Sequence, residues 1–579
     1  MRIRLRALSL LVCTSLVLFA GACKSGSGSK PDEPLTDDKP AYPSHFSEIP
    51  ADSLYVYTGL EPVPEDLMVA GLERAKASMT GSYFDSMRTM AKEQSLPPTL
   101  LALLDELEGN VSPAGMKELG MSLSPTYAIY GLGGMPTFRM ELGDAAAFEA
   151  MVNRVESKSA GASITKKEAD GVTYRIYEAD ELRVPMVIRD GEVIVSVAHE
   201  ETLETVLPYL LGQKTPDKSL ADANQLDALV DQYGYKKWSA GYVDIESAIR
   251  RLSGIDAPGP VLAATLEAFG VETPEQSESC TREIGEIASA MPRAVMGIQS
   301  YTDADTVGHA GLEVKTELAG ELAGSVEPIP GMDSEFFEGA TMALGMGLNV
   351  EKLSGILKGH LKAIAENPYQ CEHFDSVNSY AQRYQSQPLP PVVKQLRGVA
   401  LILDRIEFGA GSFIPTSLDA VAIVGIGNPQ SLLGRLQPFV PGLMQANVQS
   451  DGVPVALDQL GQVVAFLKSP HLAMTEEKVA FSTGVGMQDE MAALLEEPSA
   501  EASMAAMAMS YDFDKLMEGV PDSSRKQLEE LLGESASLSL QGSASMRLMF
   551  DGNGVFMKSR TQFPQAGESS QSGAAESSK

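Results

Sequence analysis

The sequence predicts an α+β protein built as two pseudo-repeated halves, each an antiparallel sheet with packed helices. Three observations predict it. Short runs rich in β-branched and aromatic residues, bounded by turn residues, read as strands. Longer stretches with apolar residues at i, i+3, i+4 and i+7 read as helices that bury one face. The order of these signals then recurs, once over residues 46–325 and again over 326–564.

Ahead of the first half, Arg2, Arg4 and Arg6 form a positive start with no acidic residue to offset it. An apolar run of about fourteen residues follows, too short for the ~20 that a spanning helix needs. Gly21 and Ala22 then precede Cys23. This pattern resembles the lipobox of bacterial diacylglyceryl lipoproteins, although Ala20 stands where Leu is more usual. The resemblance implies that residues 1–22 are a signal peptide and that Cys23 takes the lipid, with palmitate-class acyl chains. An ordinary signal cut near Ala22, or a short membrane anchor, is the alternative. Lys24 follows the cysteine rather than the Asp that marks inner-membrane retention, which implies the outer membrane, with the body in the periplasm or at the cell surface. Residues 23–45, rich in Gly, Ser, Pro and Asp, read as a flexible tether reaching on the order of 25–30 Å. At the other end, residues 565–579 have a disordered composition.

The first half opens with Pro50-Ala51-Asp52-Ser53 feeding the strand Leu54-Tyr55-Val56-Tyr57. Helical pattern covers 65–92 and 96–107, and a strand pair at 126–130 and 137–142 flanks Gly131–Gly134. Asp144 is placed to cap a helix whose stripe is Phe148, Met151, Val152 and Val155. Residues 184–197 read as a hairpin turning at Asp190-Gly191. A helix at 200–211, a strand at 238–242 running into 245–252, further helices up to Cys280 and a strand pair around Asp303–Asp305 complete the half.

The second half repeats the sequence of signals: a strand at 341–348, helices at 350–365 and 371–384, punctuation at 388–391, and strands at 399–408 and 418–426. Asn428-Pro429 starts a helix carrying Leu432, Leu433 and Leu436. A hairpin at 471–482 turns at Glu476-Glu477, and a helix follows at 488–495. Strands at 507–511, near Leu538 and at 546–557 end the half, the last turning at Asp551–Gly554. The Pro-Ala-Asp-Ser opening, the Asp-Ala-Ala-Ala-Phe helix start at Asp144, Ser219-Leu-Ala-Asp222 and Pro388-Leu-Pro-Pro391 are similar to a family of bacterial envelope lipoproteins of unknown function. That family supplies no catalytic residues to carry over.

A net charge of −33 disfavours nucleic acid and anionic headgroups as partners. Cys13 leaves with the signal and Cys23 takes the lipid, so Cys280 and Cys371 remain, and in an oxidising envelope they read as a disulfide. A redox pair, for which no CxxC spacing speaks, or two free thiols are the alternatives. Cys371 and His373 lie two apart, but zinc would need further Cys or His ligands close by. The other histidines, His45, His199, His309, His360 and His471, show no ligand spacing. Asp551-Gly-Asn-Gly554 lacks the later oxygen donors of a calcium loop and reads as a turn. Gly425-Ile-Gly427 lacks the third glycine of a dinucleotide loop, no G-x-S-x-G elbow is present, and Glu200-Glu201 and Glu476-Glu477 are two acidic pairs among many. No catalytic, cofactor-binding or metal residue is assigned, and no cofactor is expected. The expected function is non-catalytic binding or scaffolding by a membrane-anchored protein with a protein or apolar partner. A carrier of an apolar ligand among its 27 methionines, or an enzyme whose site assembles from distant residues, are the alternatives.

Overall fold

The computed structural model describes residues 42–563, apart from 80, 94–96, 160–162, 303, 333, 410–414, 441, 497–503 and 522–541. Cys23, the tether up to residue 41, the strand expected near Leu538 and the tail at 565–579 lie outside the described residues. The chain is α+β, with antiparallel strands and packed helices. Residues up to Gln276 together with Ile284–Gly308 form one compact unit, and Ser277–Glu283 with most residues from His309 onward form another. Relative to the expected division at 325/326, residues 277–283 and 309–325 therefore group with the later half. Among the described residues no helix is long and apolar enough to cross a membrane.

The strands of the first unit are β1 (Tyr55–Thr58), β2 (Tyr127–Leu132), β3 (Met135–Glu141), β4 (Ile164–Ala169), β5 (Val172–Ala179), β6 (Leu182–Arg189), β7 (Glu192–Ser196), β8 (Ala198–His199), β9 (Ala240–Asp244) and β10 (Arg293–Tyr301). Their antiparallel pairing runs β4-β5-β6-β7-β3-β2-β1-β9-β10, and β8 pairs with the start of β6. Asp190 and Gly191 turn β6 into β7 with φ of 52° and 79°, the left-handed pair that a two-residue hairpin with the right twist requires. Asp144 Oδ1 accepts from the N–H groups of Ala146 and Ala147 and starts the helix Ala145–Lys158. Its stripe, Phe148, Met151, Val152 and Val155, is buried as its spacing predicts. The stripe joins Leu67, Phe84, Leu104 and Met116 of neighbouring helices over Tyr127, Met140 and Val193, which are in register across β2, β3 and β7.

β11 (Asp305–Glu313) carries the chain onward. The second unit holds β12 (Met342–Met346), β13 (Leu396–Phe408), β14 (Pro415–Ile426), β15 (Val455–Ala456), β16 (His471–Met474), β17 (Lys478–Thr483), β18 (Met507–Asp512), β19 (Ser543–Asp551) and β20 (Gly554–Gln562). Pairing runs β15-β16-β17-β14-β13-β12-β18-β19-β20, all antiparallel. One face of this sheet is closed by a core of small and medium residues. Ala343, Ala400, Ile402, Val421 and Ile423 meet Met491 and Leu494 of the helix Met487–Glu496 there. On the other face, Leu433, Leu443 and Leu457 cover the β14-β17-β16 end, over Leu472, Met474 and Val479.

Candidate functional site

Three constellations could carry chemistry or binding, and the first is held by the cysteines. Cys280 and Cys371 form a disulfide, and both are buried, at 1% and 0% exposure. Cys280 sits in the first turn of the helix Glu278–Ser289, and Cys371 precedes the short turn Glu372–Phe374 that leads into the helix Asp375–Tyr384. Glu283, three residues on from Cys280 and so on the same helix face, is buried, and its carboxylate accepts from the N–H groups of Gln370 and Cys371 at 3.0 Å. Burial raises a carboxyl, but here the two backbone donors and Arg282 outweigh it and hold Glu283 below its usual value. Asn378 clips the same loop from the other side, exchanging bonds of 2.9 Å with the N–H and carbonyl of Tyr369. The loop also carries exposed His373, and one ligand atom from each of Cys280, Cys371 and His373 lies within 4.8 Å of the others. From sequence, Cys371 and His373 lacked a nearby third ligand; the fold supplies Cys280 from 91 positions away.

The second constellation is the far part of the second sheet. On β13, β12, β18, β19 and β20 the residues Val399, Met346, Met507, Leu548 and Met557 are paired in one row. Leu401, Leu344, Met509, Met546 and Ser559 form the next row, and Leu403, Met342, Tyr511, Ala544 and Thr561 the third. Paired residues, and residues two apart on a strand, share a face. None of the residues in these three rows is charged, in a chain that is 21% charged; Arg397 and Arg405 flank them along β13. Leu403 alone in these rows is buried, while Leu401, Tyr511, Met507 and Met557 are 43%, 40%, 39% and 38% exposed. At ~4.8 Å between strands and ~3.4 Å per residue the rows span about 19 Å by 14 Å. Contiguous apolar patches of a few hundred Å² mark interaction surfaces more often than chance. A shallow hollow of about 220 Å³ lies elsewhere in this unit, between Phe439, Met444 and Gln459.

The third is a buried ion network in the first unit. Arg139 on β3 donates to Glu192 Oε2 on β7 (3.2 and 2.8 Å) and to Glu48 (2.8 Å), and Arg189 on β6 also reaches Glu48. His45 Nδ1 lies 3.1 Å from Glu192 Oε1. Burial works to raise Glu192, but the bond from His45 and the charge of Arg139 prevail and bring it to about 2. Every carboxylate and guanidinium of the network has an opposite partner, so it fastens the segment around His45 to the sheet, while the buried His45 Nε2 has no hydrogen-bond partner among the described residues.

The remaining candidates have structural roles. His199 accepts from the N–H of Glu201, His309 stacks on Phe556 and is lowered by burial, and His360 pairs with exposed Glu321. Glu200 pairs with Arg183, and Asp551 Oδ1 accepts from the N–H groups of Asn553 and Gly554, which makes the Asp-Gly-Asn-Gly stretch a turn. After Gly425 and Gly427, Asn428 caps the helix Pro429–Leu436 by accepting from the N–H of Ser431. Compared with protein-family models, with curated proteins and with solved structures, the chain gives no match.

Proposed function

We propose that this chain is an outer-membrane lipoprotein, anchored through Cys23, that works by binding a protein partner and not by catalysis. The observation that carries the reading is the face of three uncharged, half-exposed rows on β12, β13 and β18–β20. Its area suits a partner's apolar surface, whereas a small apolar ligand is held in a concavity that buries most of it. Methionine side chains, unbranched and polarisable, suit such a face because they adapt to whatever packs on them. The tether of residues 23–45 gives the anchored body room to meet a partner.

The two halves are also proposed to be copies of one unit. The pairing orders β10-β9-β1-β2-β3-β7-β6 and β19-β18-β12-β13-β14-β17-β16 support this, since the strands correspond one to one in sequence order.

Two experiments test the reading. Metabolic labelling with a fatty acid should mark the wild-type chain and not Cys23→Ser; an unlabelled wild type ends the anchor. A photo-crosslinking residue at Leu401 or Met507 should capture a discrete protein in the native host, and Leu344→Asp should abolish the capture. Val485, 85% exposed and off the face, is the control position. Crosslinks to lipid alone, or the same products from Val485, would overturn the docking face.

A further inference from the structure

We infer that the thiol form of Cys280 and Cys371 is, together with His373, a binding site for a soft or borderline divalent cation of the zinc type. The three ligand atoms already lie within 4.8 Å of one another. A tetrahedral zinc site holds two sulfurs about 3.8 Å apart and a sulfur and an imidazole nitrogen about 3.6 Å apart. Two thiolates and one imidazole are a ligand set that zinc takes, and they leave its fourth position to water.

What keeps the ligands together without the bridge is the rest of the loop. Glu283 holds the N–H groups of Gln370 and Cys371, and Asn378 holds both backbone groups of Tyr369. None of these bonds depends on the sulfur–sulfur bond. They fix residues 369–371 against both flanking helices, so the two sulfurs stay facing each other as thiols. Glu283 is committed to those donors and is not counted as a ligand. Exposed His373 gives the ion its way in from solvent, while the sulfurs lie behind it.

Bridge and metal are alternatives at one place. A disulfide sulfur is a poor ligand, and oxidising a metal-bound thiolate pair to the disulfide releases the ion. The thiol form needs no reductant in the newly made chain, whose cysteines start reduced. In the mature protein a phosphine supplies the electrons: disulfide, phosphine and water give two thiols and the phosphine oxide. Binding then converts two thiols and one M²⁺ into a bis-thiolate complex and two released protons.

The test uses the full chain, reduced with a water-soluble phosphine without oxygen, freed of reductant and titrated with Co²⁺. The expected result is one Co²⁺ per chain, a thiolate-to-cobalt charge-transfer band, two protons released per ion, and displacement by Zn²⁺. The oxidised chain should give none of these. Since loss of an outer-shell partner alone costs 10–100-fold in affinity, His373→Ala should weaken Co²⁺ binding by roughly tenfold or more and alter the visible bands. A reduced, folded chain with no charge-transfer band overturns the proposal, and so does a His373→Ala chain that matches wild type. Should reduction unfold the second unit, Zn²⁺ is expected to restore its circular dichroism, and failure to do so is equally decisive.

Discussion

Glu192 shows how a single residue ties stability to acidity. Its carboxyl sits at about 2 in the folded chain against an ordinary 4.5. A depressed carboxyl stabilises the fold fully above its unfolded value and stops doing so as pH falls through the folded one. The contribution is about 3 kcal/mol at neutral pH and disappears between roughly pH 5 and 2. Urea unfolding at pH 7, 4 and 3 should show this loss, and Glu192→Gln should be about 3 kcal/mol less stable at pH 7 with a flatter acid limb. An unchanged acid limb in that variant would mean that other carboxylates carry the dependence. Glu106 adds in the same direction: Lys158 and Arg154 hold it low, against its burial.

Among the elements, β12 and β18 place their side chains against the usual expectation. Met342-Ala-Leu-Gly-Met346 and Met507-Ala-Met-Ser-Tyr511 alternate large with small residues, and the small ones face the core. The backbone there is packed so closely that a Cβ on Gly345 would stand 2.4 Å from Ile329 Cγ2. Gly345→Ala should therefore destabilise by about 1–3 kcal/mol, while Leu344→Asp next to it, half-exposed, should cost less. Chemical denaturation of the two variants decides this; the reverse order would mean that the large residues form a closed core. Periodicity made both strands legible as strands, but their burial was not, because alternation of size does not say which side the helix Met487–Glu496 packs on. Asp144 and Asp190-Gly191 were legible because cap and turn chemistry is local. The hairpin of β4 and β5 went unread although it turns at Asp170-Gly171, the same dipeptide with the same left-handed geometry. Its outer strand exposes Lys166, Lys167 and Glu168 in succession, so no hydrophobic alternation announced it.

At the scale of the molecule, the disulfide was readable by counting cysteines, but His373 beside it was not, since only the fold brings Cys280 to that loop. Closing a loop with a sequence separation of 91 should stabilise the chain by about 4–5 kcal/mol in the chain-entropy account. Cys280→Ser with Cys371→Ser should lower the denaturation midpoint accordingly, and a shift worth under 1 kcal/mol would show that Glu283 and Asn378 alone suffice. The way the chain is divided also bears on anyone cutting it. Residues 277–283 belong with the later unit and 284–308 with the earlier, so no single cleavage separates the two. A fragment ending at 325 would keep Cys280 without its mate. One starting at 326 would lack the helix Thr316–Ala323 that packs on β19 and β20. Each half expressed alone should therefore be poorly soluble, and a molecule nicked between 281 and 370 should still migrate as one piece until its disulfide is reduced.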